Sequence, residues 1–421
     1  MSPITISSCP TISKNGTGEI KICNTIQWSK DQTWQLEFCF DGDLLPLSEE
    51  LDPWLVLALL PAMCAGRDLE LTHPVSSRLL QNLPAIQSIF NTWDATYKKI
   101  KVSAPTRPDP GFNGKGKTAC FFSGGVDSFY TILKYRDKID VLIHLDNPWA
   151  REEGRARMLG KIKEAAERLG KPLIIIKSNF RDFLDTYTEW EYSHGAAIMA
   201  LALFLTPYIS KIYLAGDYTY ASLEPNGVHP LLDPLWGTET LEVIHDGLEA
   251  TRLQKIELME GNNIMLSSLR VCWENIENEL NCGRCRKCLY TMVSLRAAGL
   301  LNHCPTFAVP LDLEYLVNFD FLTVAARWCL LENLEALENR GTDPELEEAL
   351  RRSLARQKPL PQQKLLTGTD PELSELRQKV TFYDQTLRFQ LADKVNRLLS
   401  KNRAIHRVGE TLAHRAWKWL K

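Results

Sequence analysis

The stretch from Thr118 to Tyr135 constrains the fold more than any other. It reads Thr-Ala-Cys-Phe-Phe, then Ser123-Gly124-Gly125-Val126-Asp127-Ser128, then Phe-Tyr-Thr-Ile-Leu-Lys-Tyr. A short apolar run that enters a double-glycine turn and leaves with helical spacing predicts a strand, an anion-binding loop and a helix N-terminus in one piece. The glycines let backbone N–H groups approach phosphate oxygens, and the helix end adds partial positive charge. Ser123 and Ser128 can donate further hydrogen bonds. Asp127 repels phosphate, so it either holds Mg²⁺ or caps the helix.

Downstream, apolar runs alternate with helical spacing. Ile139 to Asn147, Pro172 to Lys177 and Lys211 to Asp217 read as strands, and Arg151 to Leu169 and Ala196 to Tyr208 as helices. Strands so uniformly apolar predict an α/β, Rossmann-like parallel sheet with helices on both faces. Ligands of such sheets sit beyond the carboxyl ends of the strands, which gathers Ser123 to Ser128, Asp146, Asn147 and Asp217 on one rim. Asp217 is there either a catalytic or Mg²⁺-binding acid or a loop cap. The proline-bearing stretch Tyr218 to Gly237 is long enough to form a pocket wall or lid. After a short strand at Leu241 to His245, a helix from Thr251 to Met259 carries Arg252 and Lys255, cations that either neutralise phosphate charge or lie on a solvated face. Just before the loop, Gly111 to Thr118 spells the Gly-x-x-x-x-Gly-Lys-Thr of a Walker loop. Prolines precede it and a strand follows, so it lacks the strand-to-helix context and reads as a flexible lead-in.

At 421 residues, 44% of them hydrophobic, the chain is long enough for two or three domains. Residues 1–105 are expected to form an appendage in which Ile20 to Trp28 and Trp34 to Phe40 make a hairpin, followed by helices at Trp54 to Ala65 and Leu83 to Ile100. Three prolines within Ala104 to Pro110 mark a stiff linker. Residues 106–310 then form the nucleotide domain, and 311–421 a helical extension. In that extension Asp343-Pro344-Glu345 and Asp370-Pro371-Glu372 both read as capped helix starts. An apolar seam from Leu376 to Leu398 packs on the body or pairs with a second copy, and a homodimer is expected. From Lys394 onward there are eight Lys or Arg against Glu410 alone, a tail suited to nucleic acid, an anionic surface, an acidic partner or plain solvation. The formal charge of −3 gives no global pull toward nucleic acid. Neither a signal peptide nor an apolar run of membrane length is expected, and seven scattered single cysteines suggest reduced thiols in a cytoplasmic protein.

A second strong pattern is Cys272-x9-Cys282-Gly-Arg-Cys285-Arg-Lys-Cys288, within residues 266–290. Four thiolates at this spacing make a closed tetrahedral set without an open position, as in structural Zn²⁺ sites. An iron–sulfur cluster is the rival reading. The Cys-Pro that follows in ferredoxin runs is absent here.

The Ser-Gly-Gly-Val-Asp-Ser loop resembles the pyrophosphate loop of the ATP pyrophosphatase (PP-loop) superfamily, whose members cleave ATP between the α- and β-phosphates to adenylate a substrate. The loop and the cysteine pattern together resemble 7-cyano-7-deazaguanine synthase of the queuosine pathway and its paralogues, over residues 117–305. That resemblance implies adenylation of the carboxylate of a 7-carboxy-7-deazaguanine-type substrate, displacement of AMP by a nitrogen nucleophile, and ATP, Mg²⁺ and Zn²⁺ as cofactors. It implies that Ser123, Gly124, Gly125, Val126, Asp127 and Ser128 grip pyrophosphate and that Leu145, Asp146 and Asn147 lie along the nucleotide. It further implies that Cys272, Cys282, Cys285 and Cys288 bind zinc, and that Ser123, Asp127, Asp217 and Lys255 are the catalytic set. The family's Gly-Tyr-Pro-Asp-Cys-Arg segment is replaced here by Asp217-Tyr218-Thr219-Tyr220-Ala-Ser-Leu-Glu-Pro-Asn, which alters the substrate-facing loop. The added segments on both sides suit a larger acceptor, as in divergent paralogues of antiphage operons thought to modify a protein amine. A tRNA-modifying relative and a non-catalytic nucleotide-binding scaffold are the alternative readings.

Overall fold

A hairpin opens the chain. After the short strands β1 (Ile4–Ile6) and β2 (Thr11–Lys14), β3 (Ile20–Ser29) and β4 (Gln32–Asp41) pair antiparallel, with Ile22 opposite Phe38 and Ile26 opposite Trp34. Every second residue of β3 is buried, the period-two pattern of a strand with one covered face. These details come from a computed structural model that describes residues 2–357, apart from 15, 17, 42–45, 110, 112–113, 147–151, 273 and 275–279. Helix α1 (Asp52–Ala65) has no polar face and is buried along nearly its whole length. Strand β5 (Leu69–Leu71), helix α2 (Ser77–Trp93) and strand β6 (Val102–Ser103) follow. Helix α2 starts at Ser77 rather than Leu83 because Ser76 caps it, accepting from the Leu79 N–H, and it ends where Asp94 turns extended.

Next come β7 (Lys117–Phe121), α3 (Val126–Lys134), β8 (Val141–Leu145), α4 (Glu152–Arg168), β9 (Leu173–Ser178), α5 (Phe180–Tyr187), α6 (Trp190–Phe204), β10 (Ile209–Ala215) and β11 (Glu242–Asp246). The last five strands lie in the order β11-β10-β7-β8-β9, all parallel. Chain order therefore reverses direction between β7 and β10, the switch point at which doubly wound sheets bind ligands. Neighbouring residues of one strand serve different cores. Ala119, Ile143 and Ile212 face α1, α5 and α6, whereas Cys120, Leu142 and Tyr213 face the opposite helical layer. Burial on both faces is why these strands read as continuous apolar runs.

The sheet is mostly, not wholly, parallel. Strand β9 pairs antiparallel with β4, Ile176 opposite Phe40, so the N-terminal hairpin extends the same 11-stranded sheet. Residues 1–105 and the strands that follow thus share a sheet and one of its cores.

Beyond β11, α7 (Arg252–Glu257), α8 (Asn263–Ser268), α9 (Arg286–Ala297), α10 (Leu313–Asn318), α11 (Val324–Arg340) and α12 (Pro344–Arg356) build the second core around Leu289, Val293, Leu316, Leu330 and Leu346. Helix α12 starts as its sequence predicts: Asp343 accepts from the Leu346 N–H at 3.0 Å, Pro344 is the first helical residue and Glu345 follows. The Asp370 helix start, the seam to Leu398 and the basic tail lie outside the described residues. Among the described residues no helix is long and apolar enough to cross a membrane.

Candidate functional site

The ladder of β7 continues one residue past its end, the Phe122 N–H donating to the Ile143 carbonyl at 2.8 Å, and the chain then turns at Ser123. Gly124 takes φ +76°, a conformation that any side chain would strain. Two hydroxyls fasten the turn: the Gly125 N–H donates to Ser123 Oγ at 3.2 Å, and Ser128 Oγ donates to the Gly125 carbonyl at 3.0 Å. Gly125 is the N-cap of α3 and brings no side-chain acceptor to the first-turn N–H groups. The first turn of α3 thus has no side-chain cap among the described residues, which leaves its N–H groups available to an anion. Asp127 is therefore not a helix cap.

Asp127 instead gathers cations. Its Oδ1 accepts from Lys255 Nζ at 3.0 Å, and its Oδ2 from Arg252 Nη2 at 3.0 Å. Lys255 is 1% exposed and also donates to the Gly216 carbonyl at 2.7 Å. A lone ammonium at that depth would cost several kcal/mol, which the carboxylate and carbonyl offset. Arg252 and Lys255 share a face of α7 at three-residue spacing, and a capping box built from Thr251 and Gln254 fixes the start of that short helix. Arg252 Nη2 also donates to Asp217 Oδ1 at 2.8 Å, and Lys287 Nζ to Asp217 Oδ2 at 3.4 Å. Partial desolvation works against ionisation of Asp217, but Lys287 and Arg252 outweigh it and hold the carboxyl well below the usual range. The guanidinium of Arg252 additionally lies 4.9 Å from the centre of the Tyr290 ring.

A cavity of about 710 Å³ opens over this group at the carboxyl ends of β7, β8 and β10. Ser123, Asp127, Ser128, Leu145, Asp217 and Arg252 line it together. Asp146 is directed elsewhere: it is 1% exposed and takes a two-pronged bond from Arg155, at 2.8 Å and 2.7 Å. Asn147 lies outside the described residues. The Walker-like lysine, Lys117, is the exposed first residue of β7, and α3 does not begin until Val126.

Several lining residues carried no local signal in the sequence. Thr323, Trp328 and Glu332 come from α11 and its cap, and Glu191 and His194 from α6. His144 is 4% exposed, its Nδ1 lying 2.8 Å from the Phe122 carbonyl, so the proton sits on Nδ1. Its Nε2 then offers a buried acceptor with no partner among the described residues, and burial keeps the ring neutral by lowering its pKa.

The four cysteines converge as their spacing predicts. The sulfurs of Cys272, Cys282, Cys285 and Cys288 all lie within 4.8 Å of one another, with Cys282 to Cys288 and Cys272 to Cys285 both at 3.9 Å. Tetrahedral zinc with bonds of about 2.3 Å sets its sulfurs about 3.8 Å apart, so the donor set fits that ion. Backbone N–H groups of Cys285 and Cys288 point at the sulfurs of Cys282 and Cys285, at 3.2 and 3.5 Å. Cys272 arrives from an irregular segment after α8.

Fold and site together define an α/β protein with a doubly wound sheet, a cation-rich pocket at its switch point and a four-cysteine cluster suited to a metal such as zinc. No protein-family model, curated protein or solved structure matches the chain.

Proposed function

We propose that this protein is an ATP-dependent carbon–nitrogen ligase of the 7-cyano-7-deazaguanine synthase type. It adenylates the carboxylate of a 7-carboxy-7-deazaguanine-like substrate, releases pyrophosphate, and passes the acyl group to a nitrogen nucleophile with loss of AMP, giving an amide, which a second ATP would dehydrate to the nitrile where the nucleophile is ammonia; a protein amine in an antiphage system is the acceptor that suits the added segments, and its product stays an amide. The observation that carries the reading is the meeting of Ser123, Asp127, Ser128 and Arg252 in one cavity at the uncapped N-terminus of α3, with Lys255 bonded to Asp127 behind it.

In this reading the loop N–H groups and hydroxyls grip the departing pyrophosphate. Arg252, held by two carboxylates, meets the charge that grows there as the α–β bond breaks. Little covalent chemistry is required of the protein. Its work is alignment of carboxylate and α-phosphate within the cavity. Asp127 and Asp217 are the pocket carboxylates that would hold Mg²⁺, in exchange for part of their present bonds to Arg252, Lys255 and Lys287, and the ion would draw charge from the phosphates when bound. The zinc set is closed and serves structure. Incubation with ATP, Mg²⁺ and 7-carboxy-7-deazaguanine, followed by mass spectrometry, tests the reading: an adenylate, amide or nitrile is expected, and unchanged substrate overturns it.

A further inference from the structure

The cysteine cluster is joined to the phosphate loop by two routes, one through the backbone and one ionic. Arg270, two residues before Cys272, donates its backbone N–H to the Gly124 carbonyl at 2.8 Å. Asn281, 1% exposed and adjacent to Cys282, accepts from the N–H groups of Val271 and Cys272 at 2.8 and 3.2 Å and donates to the Leu269 carbonyl at 2.9 Å. It thereby clips the segment carrying Arg270 to the knuckle. The second route is ionic: Lys287 donates to Asp217, which accepts from Arg252, which in turn donates to Asp127. Charge alternates along this line from the knuckle to the loop.

Arg286 and Lys287 occupy the two positions between Cys285 and Cys288 and open α9, whose N-cap is Cys285. Both line the same cavity as Ser123, Asp127 and Ser128. A four-thiolate site needs no particular residues at those two positions, and the third knuckle cation, Arg284, is exposed and outside the cavity. With both flanking sulfurs on one metal ion, the backbone between them is fixed, and so is the point from which each cation reaches into the cavity.

We propose that Arg286 and Lys287 bind the pyrophosphate portion of the nucleotide, and that the metal-closed knuckle is the arm that holds them against the Ser123 to Ser128 loop. The assignment rests on the ATP reading above. It adds a second cationic bank on the α9 side to the one that α7 supplies, and it gives the zinc site a task in ligand binding as well as in folding.

Calorimetric titration of the full chain with inorganic pyrophosphate and Mg²⁺ tests the assignment, with zinc content and melting temperature measured on every sample. Arg286→Ala and Lys287→Ala should each weaken binding about tenfold or more, the loss expected for a charged hydrogen bond, while zinc content stays at the wild-type level. Arg284→Ala removes the same charge from the same knuckle and should leave binding within about twofold. Lys287→Arg should restore most of the affinity, which separates a phosphate contact from a packing effect. Chelation of the zinc should weaken pyrophosphate binding at least as much as either alanine variant. Wild-type binding with no loss in Arg286→Ala and Lys287→Ala overturns this assignment alone. Equal losses in all three alanine variants overturn it too, in favour of net charge. Absence of pyrophosphate binding by the wild type overturns both the assignment and the ATP reading.

Discussion

Lys255 and Asp127, 128 residues apart in sequence, meet at 3.0 Å beneath the Ser123 to Ser128 loop. The contact couples the first turn of α3 to α7 and puts a nearly fully buried ammonium behind the pocket. One carboxylate thus sets the position of both cations of α7.

Asp127→Ala strands Lys255 and removes one of the anchors of Arg252. The expected cost is on the order of 3 kcal/mol in urea unfolding, because a buried charge loses its partner. ATP turnover should also be lost. Lys117→Ala, in the Walker look-alike, should leave both quantities near wild type; loss of turnover in that variant would mean that the phosphate site has been placed on the wrong glycine loop.

The loop after β10 leans on α6 through a glycine pair. A Cβ at Gly195 would lie 1.7 Å from the Gly227 carbonyl oxygen, and the Gly227 N–H donates to the Glu191 carbonyl at 2.8 Å. Gly195→Ala must push this loop outward, at about 1–3 kcal/mol of stability. In steady-state kinetics KM for the carboxylate substrate should rise more than KM for ATP. An equal rise in both would show that the loop does not contact the carboxylate half of the site.

Cys282→Ser removes one of four ligands from a closed set. Elemental analysis should show wild-type protein carrying zinc and the variant depleted of it, with a melting temperature lower by several degrees. A brown wild-type protein with iron and sulfide would replace zinc by a cluster at the same four thiolates.

Acid stability should carry the mark of a buried imidazole. Burial, and secondarily the neighbouring His245, lower the pKa of His229 from 6.5 to about 4. Its main-chain N–H and His245 Nδ1 both contact the buried Asp233 carboxylate, at 3.1 and 2.6 Å. The unfolded imidazole takes up a proton near pH 6.5 and the folded one only near pH 4, so protonation favours the unfolded chain through that window. Stability present above pH 6.5 should fall by roughly 3 kcal/mol as pH drops to about 4. His229→Gln should flatten that slope, and an unchanged slope would assign the acid sensitivity to other groups.

Much of the parallel half of the fold was legible because burial on both faces leaves uninterrupted apolar runs. The β3–β4 hairpin was equally legible from alternation. The pairing of β4 with β9 was not, since Phe40 and Ile176 carry no local sign of each other. The same holds for the pocket. Ser123 to Ser128 and the four cysteines announce themselves by spacing, whereas the bonds from Arg252 to Asp127 and Asp217, and the wall supplied by Trp328 and Glu332, arise from packing between distant segments. Asp146 looked like a rim residue by its place at a strand end, yet Arg155 on the following helix captures it.

The most direct measurement of the central claim is exchange of labelled pyrophosphate into ATP. With Mg²⁺ and 7-carboxy-7-deazaguanine present, wild-type protein should catalyse exchange that requires the carboxylate and disappears in Asp127→Ala. Release of ADP and phosphate without exchange would contradict cleavage between the α- and β-phosphates, and with it the proposed function.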